Sequence, residues 1–170
     1  KGQGGLLDIE VDPEFEKNKY IYICYSDYDQ RKSFTSVARA KLVKDSLKQL
    51  KTIFTAPREY YSRSPYHFGS RLLIKDGNLY FSIGDRGAMK DAQDLKNPSG
   101  KIHRIKLDGS IPEDNPFIDK NGQKTSVWTY GNRNPQGLAI DSKEVIWELE
   151  HGPKGGDELK MRWIPREPSC

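Results

Sequence analysis

Arg71-Leu72-Leu73-Ile74-Lys75-Asp76-Gly77-Asn78-Leu79-Tyr80-Phe81-Ser82-Ile83 is the stretch whose reading decides the fold. Two short apolar and aromatic runs flank Asp76-Gly77, a dipeptide that accepts the positive φ of a tight two-residue turn. The pattern predicts an antiparallel hairpin with strands over 71–75 and 78–83. The same grammar continues on both sides. Upstream, Leu6 to Val11 alternates apolar and acidic residues, with Leu7, Ile9 and Val11 facing one way, until Asp12-Pro13 breaks the run. Tyr20 to Tyr25 is β-branched and aromatic, Phe34 to Val43 alternates again, and Lys51 to Thr55 is a short fourth run. Four strands in succession predict one antiparallel sheet, with Lys44 to Leu50 as a connection between the third and the fourth.

Downstream, the candidates are Gly100 to Leu107, ended by Asp108-Gly109, then Ser126 to Tyr130, Gly137 to Asp141 and Val145 to Glu150. The chain is therefore all-β, with about ten short strands and no long helix. Such spacing fits a sandwich, a barrel or a propeller, and a propeller repeats a four-stranded blade.

The length of 170 residues fits one domain or part of one. Counted with glycine and without tyrosine, apolar residues make up about 38% of the chain, below the roughly 45–50% of ordinary globular domains. That is a thin core for an independent unit. The aromatic and β-branched content nevertheless argues against disorder. Twenty-eight basic and 24 acidic residues give a formal charge of +4, with both signs interleaved. A nucleic-acid reader gathers its Lys and Arg into a stripe beside stacking aromatics, and no such grouping is present, so nucleic acid is set aside as a partner. No apolar run approaches the roughly 20 residues of a membrane span. Cys24 in an apolar run and Cys170 at the last position form no metal-ligand or disulfide framework.

Long loops rich in Gly, Asn, Pro and charge separate the strands, and function concentrates on such loops. Along them lie Gly2-Gln3-Gly4-Gly5-Leu6-Leu7; His67-Phe68-Gly69-Ser70-Arg71-Leu72; Leu79-Tyr80-Phe81-Ser82-Ile83-Gly84-Asp85-Arg86-Gly87; and Asn97-Pro98-Ser99-Gly100-Lys101-Ile102. Ile111-Pro112-Glu113-Asp114-Asn115-Pro116-Phe117 follows, then Tyr130-Gly131-Asn132-Arg133-Asn134-Pro135-Gln136-Gly137-Leu138-Ala139, then His151-Gly152-Pro153-Lys154-Gly155-Gly156-Asp157-Glu158. In type and order these motifs resemble those of the soluble aldose sugar dehydrogenases that use pyrroloquinoline quinone (PQQ), the glucose/sorbosone dehydrogenase family.

The resemblance runs over residues 1–159, while 160–170 fits no family pattern. It implies a six-bladed β-propeller in the parent protein, of which this chain covers two to three blades. The implied activity is oxidation of an aldose at C1 to the lactone, with hydride transfer to PQQ, a histidine base and a quinone polarised by calcium. It further implies an external electron acceptor, a periplasmic or secreted location and a homodimer as one form of the full-length protein. The chain alone is expected to be weak or inactive, because the family's remaining PQQ contacts come from later blades. The alternative is a non-catalytic propeller of the hedgehog-interacting type, which binds a partner and does no redox chemistry.

Site residues follow position by position. Removing hydride from a sugar C1 calls for a base that takes the hydroxyl proton as the C–H bond breaks. His67 matches the family's catalytic histidine, whereas His103 alternates within a strand and reads as structural. Asp85 matches the carboxylate that holds the second imidazole nitrogen. Arg133 is the cation expected where negative charge develops, with Asn134 and Gln3 as hydrogen-bonding neighbours of the cofactor. Gly152 and Pro153 resemble the pair whose main-chain oxygens hold calcium, and Asp157 and Glu158 match acidic positions near the family's calcium sites. Tyr66 stands where glucose-oxidising members carry an acidic sugar contact, a departure that bears on substrate preference. Asp119-Lys120-Asn121-Gly122 lacks the remaining ligands of an EF-hand and reads as a turn.

Overall fold

The computed structural model describes residues 2–162. Eleven strands form three antiparallel sheets, each a meander in chain order. The first holds β1 (Leu6–Val11), β2 (Tyr20–Asp29), β3 (Lys32–Val43) and β4 (Ser46–Phe54). The second holds β5 (Leu72–Lys75), β6 (Asn78–Ile83), β7 (Lys101–Lys106) and β8 (Val127–Tyr130). The third holds β9 (Pro135–Ile140), β10 (Ile146–Glu150) and β11 (Glu158–Arg162). The opening strands β1, β5 and β9 stand side by side, so the sheets fan out from a common line as successive blades of a propeller. Among the described residues two sheets have four strands each and the third has three.

The hairpin that anchored the reading is present. Lys75 pairs with Asn78, and Asp76 and Gly77 turn the chain at φ 48° and 70°. β6 then serves both inter-blade cores. Leu79, Phe81 and Ile83 pack with Tyr22, Phe34 and Val37 of the first blade, while Tyr80 packs with Trp128 and Ile146 toward the third. Fully burying side chains of this size contributes about 1.5–3 kcal/mol each, so the central blade is the anchor of the assembly.

Three readings change. The stretch 44–50 is not a long connection: Lys44-Asp45 is a two-residue turn and β4 begins at Ser46. β4 is an outer strand exposed on both faces over most of its length, so it shows no apolar alternation to read. In β1, a bulge between Leu6 and Asp8 sets Leu7 against the core, whereas Ile9 and Val11 are 58% and 50% exposed. β11, which pairs with β10 through Arg162, continues past the expected boundary at 159. The rest of the expected tail, from Trp163 on, lies outside the described residues. No described helix is long and apolar enough to cross a membrane.

Two buried polar side chains on β7, Lys101 and His103, show how the loops are fixed. Lys101, fully buried, donates its ammonium to the carbonyls of Asp91, Ala92 and Ser99 at 2.9, 2.9 and 2.7 Å. Burial pulls it down to about 8, with Asp94 and Asp91 pulling the other way. The loop it gathers then accepts backbone bonds from Gly131 to Ala92 and from Asn132 to Gly100, which sets the approach to Arg133.

His103 is structural, as its alternation implied. It stacks on Phe81, donates from Nε2 to the Pro98 carbonyl and accepts at Nδ1 from the Ser126 hydroxyl. Burial depresses it from 6.5 to about 4. The unfolded chain therefore binds the extra proton between those values, and His103 stabilises the fold above about pH 6.5 and loses that contribution as pH falls through about 4. The full swing is about 3 kcal/mol. Urea midpoints measured at pH 7 and pH 4.5 should fall steeply for the wild type and less for His103→Gln.

Candidate active site

The fold gathers the loop residues by a simple rule. Gln3 precedes β1, His67 precedes β5, and Arg133 and Asn134 lead into β9, so all sit where the opening strands begin. Because neighbouring strands are antiparallel, the loops leaving β6 and β10 return to the same end. Those loops carry Asp85 and Gly152-Pro153.

His67 and Asp85 form a close pair, Nδ1 to Oδ1 at 2.6 Å, with the carboxylate 1% exposed and the imidazole 17% exposed. Oδ1 also accepts the Gly87 backbone N–H at 2.7 Å, while Oδ2 is buried without a hydrogen-bond partner. A buried carboxylate needs compensation, and an imidazole N–H supplies it. That bond sets the tautomer: Nδ1 carries the proton, and Nε2, without a partner among the described residues, keeps its lone pair. The pair depends on an unusual backbone. His67 has φ 56°, and its carbonyl lies where a Cβ on residue 84 would come within 2.2 Å, so Gly84 must be glycine. The His67 backbone N–H donates to Gln3 Oε1 at 2.9 Å, and the Gln3 N–H donates to the Pro65 carbonyl. Gln3 is thus tethered at this end of the blade despite its exposure.

Arg133 is tied to the same cluster through its backbone. Its carbonyl accepts from Asp85 N–H at 2.7 Å, and its N–H donates to Glu150 Oε2 at 2.6 Å. Asn134, buried, accepts the Gly69 N–H at Oδ1, 3.1 Å, which joins the β9 loop to the His67 loop. The Arg133 guanidinium donates through Nη1 to the carbonyls of His151 and Gly152 at 2.8 and 3.2 Å.

The residues expected at calcium are placed differently from one another. The Gly152 carbonyl faces positive charge, in company with that of His151. The Pro153 carbonyl instead accepts the Gly156 N–H, Asp157 Oδ1 accepts the Gly152 N–H, and Glu158 pairs with Lys160. Among the described residues, no group of three or more His, Cys, Asp or Glu side chains is placed to hold a metal ion. Asp119 accepts N–H groups from Asn121 and Gln123, which makes its segment the turn expected.

Two functional neighbours were missed from the sequence. Glu150 is 3% exposed, pairs with Lys160 and holds the Arg133 N–H. The signal was an acidic residue alternating with apolar ones in β10, ending at a loop. Arg86 sat inside a quoted motif but was assigned nothing.

A propeller with a histidine–carboxylate pair and an arginine at the entry to its opening strands is defined by fold and site together. Comparison with known proteins gives the class its family: residues 1–163 match the Glucose / Sorbosone dehydrogenase family, and the chain belongs to it. It is 38% identical over 165 residues to the aldose sugar dehydrogenase YliI of Escherichia coli, covering 94% of this chain and 44% of that protein. The apo-form structure of the soluble aldose sugar dehydrogenase from Escherichia coli superposes with a TM-score of 0.88 at 37% identity, over 97% of this chain and 48% of that one. The PQQ-bound aldose sugar dehydrogenase of Streptomyces coelicolor superposes at 0.81 with 29% identity, over 95% and 46%. The chain thus spans about half the length of these relatives.

Proposed function

We propose that the protein oxidises aldose sugars at C1 to lactones, with His67 as the base. The observation that carries this reading is the buried His67–Asp85 pair, tied through backbone bonds to Arg133 and Gln3. The donor set fits an anionic quinone: among the described residues the Gln3 and Asn134 amide nitrogens and the remaining Arg133 N–H groups have no acceptor. PQQ, when bound, supplies the quinone that takes up the hydride. His67 Nε2 accepts the C1 hydroxyl proton, and Asp85 stabilises the imidazolium so formed. Arg133 supplies positive charge where negative charge develops. Gln3 and Asn134 orient the ring system. Calcium belongs to this reading through the family resemblance alone, which would set it on the Gly152 and Pro153 carbonyls with Asp157 and Glu158 as acidic neighbours. A periplasmic or secreted location and an external electron acceptor are part of the same reading.

Absorbance titration with PQQ tests it, on this chain and on a form joined to the remaining blades of its relatives, followed by aldose-dependent dye reduction. Saturable binding and sugar oxidation in the joined form support the reading. A joined form that ignores PQQ overturns it and favours a partner-binding propeller. Tyr66, 57% exposed beside His67, replaces an acidic sugar contact, so the aldose panel should extend beyond glucose.

A further inference from the structure

Arg86 is an expensive residue whose contacts all bear on one segment. It is 3% exposed and, among the described residues, no carboxylate pairs with it. Its acceptors are neutral: Nε donates to the Tyr66 carbonyl at 3.0 Å, Nη1 to the Ser33 carbonyl at 2.8 Å, and Nη2 to the Ser64 carbonyl at 2.5 Å and the Ser33 hydroxyl at 3.2 Å. The guanidinium Cζ lies over the Phe68 ring, 3.7 Å from its centre. Burial pulls Arg86 down to about 10, a measure of what its placement costs.

The contacts fall at 64, 66 and 68, on either side of His67, and reach across to Ser33 on β3. His67 itself is left-handed at φ 56°, a conformation that an L-residue holds only when its surroundings impose it. Asp85, which fixes the imidazole, is the residue next to Arg86. We propose that Arg86 is a positioning residue: it clamps the backbone before and after His67 to the first blade, and so keeps Nδ1 on Asp85 and Nε2 turned to the substrate. Five donors in a rigid fork can serve Ser33, Ser64 and Tyr66 at once, whereas a lysine ammonium has three and no plane to lay on Phe68. The inference rests on His67 being the base, and its test separates the two.

The chain is labelled with ¹⁵N-histidine, and the low-field proton on His67 Nδ1 is assigned by its loss in His67→Gln. Arg86→Lys should broaden or remove that signal while the Nε2 proton of His103 and the thermal midpoint persist. In the form joined to the remaining blades and loaded with PQQ it should lower kcat about 10- to 100-fold with little change in KM, as a displaced reacting group does. In Arg86→Ala, ethylguanidinium should restore turnover at least in part, and ethylammonium should not. If Arg86→Lys does not fold, Phe68→Leu removes the aromatic seat and leaves the four hydrogen bonds; a weakened His67 signal and a fall of about 2- to 5-fold in kcat are then expected. An unaltered His67 signal and unaltered kcat in whichever variant folds overturns the proposal. Turnover retained in His67→Gln sinks the base assignment, while the Nδ1 signal still decides whether Arg86 positions the imidazole.

Discussion

His67→Gln is expected to lower aldose turnover by about 10²- to 10⁴-fold, the range for losing a general base. Glutamine can still donate to Asp85 from its amide nitrogen, so the buried carboxylate keeps a partner and the loop keeps its anchor. The imidazole is partly exposed and packs into neither inter-blade core, so stability should move by no more than about 1 kcal/mol. What disappears is the lone pair at Nε2. Since the cofactor contacts proposed for Gln3, Asn134 and Arg133 do not involve the His67 imidazole, KM should change far less than kcat. Steady-state dye reduction with and without deuterium at the sugar C1 checks this. A primary isotope effect that grows in the variant places His67 in the C–H cleavage step. Wild-type turnover in a folded His67→Gln would remove it from the chemistry.

Asp85→Asn should be nearly as damaging, about 10²- to 10⁴-fold in turnover, although the change is one atom. Oδ1 now accepts two N–H groups, from Gly87 and from His67 Nδ1, and Oδ2 has no partner among the described residues. With asparagine the amide oxygen can keep both bonds, but no negative charge remains to stabilise the imidazolium. In the flipped amide, nitrogen faces Nδ1, which must then become the acceptor, and the proton moves to Nε2. Either way the base is lost, by destabilising its protonated form or by selecting the wrong tautomer. Relief of a buried charge offsets part of the lost hydrogen bonding, so the thermal midpoint should stay close to the wild type. Histidine ¹⁵N shifts distinguish the two routes. A folded Asp85→Asn enzyme with undiminished kcat would show that the pair is a structural contact.

Much of this site was legible because its loops are written in residues with narrow physical uses. Gly84 is demanded by the His67 carbonyl and Asp76-Gly77 by a positive-φ turn. The His67–Asp85 assignment came through family resemblance, and the geometry shows what it rests on. Less legible was β4, whose two exposed faces leave no alternation, and β11, whose Glu158 to Arg162 alternates charged and apolar residues over only five positions and crosses the point where the family resemblance was taken to end. Both become strands because a neighbour offers them a row of backbone partners.

The sequence by itself determined the all-β class, the hairpin over 71–83, the blade-like succession of short strands and the identity of the loops that carry chemistry. These are local properties, set by side-chain period and by the φ that Gly, Asn, Asp and Pro allow. The tertiary structure alone decided that Gln3, His67, Asp85, Arg133 and Gly152 share one end of the blades, because β1, β5 and β9 stand side by side. It also decided what Arg86, Lys101 and Glu150 do. Their partners are mainly backbone carbonyls and N–H groups of segments up to 53 residues away, and such groups are identical at every position of a sequence until folding brings particular ones to a buried charge.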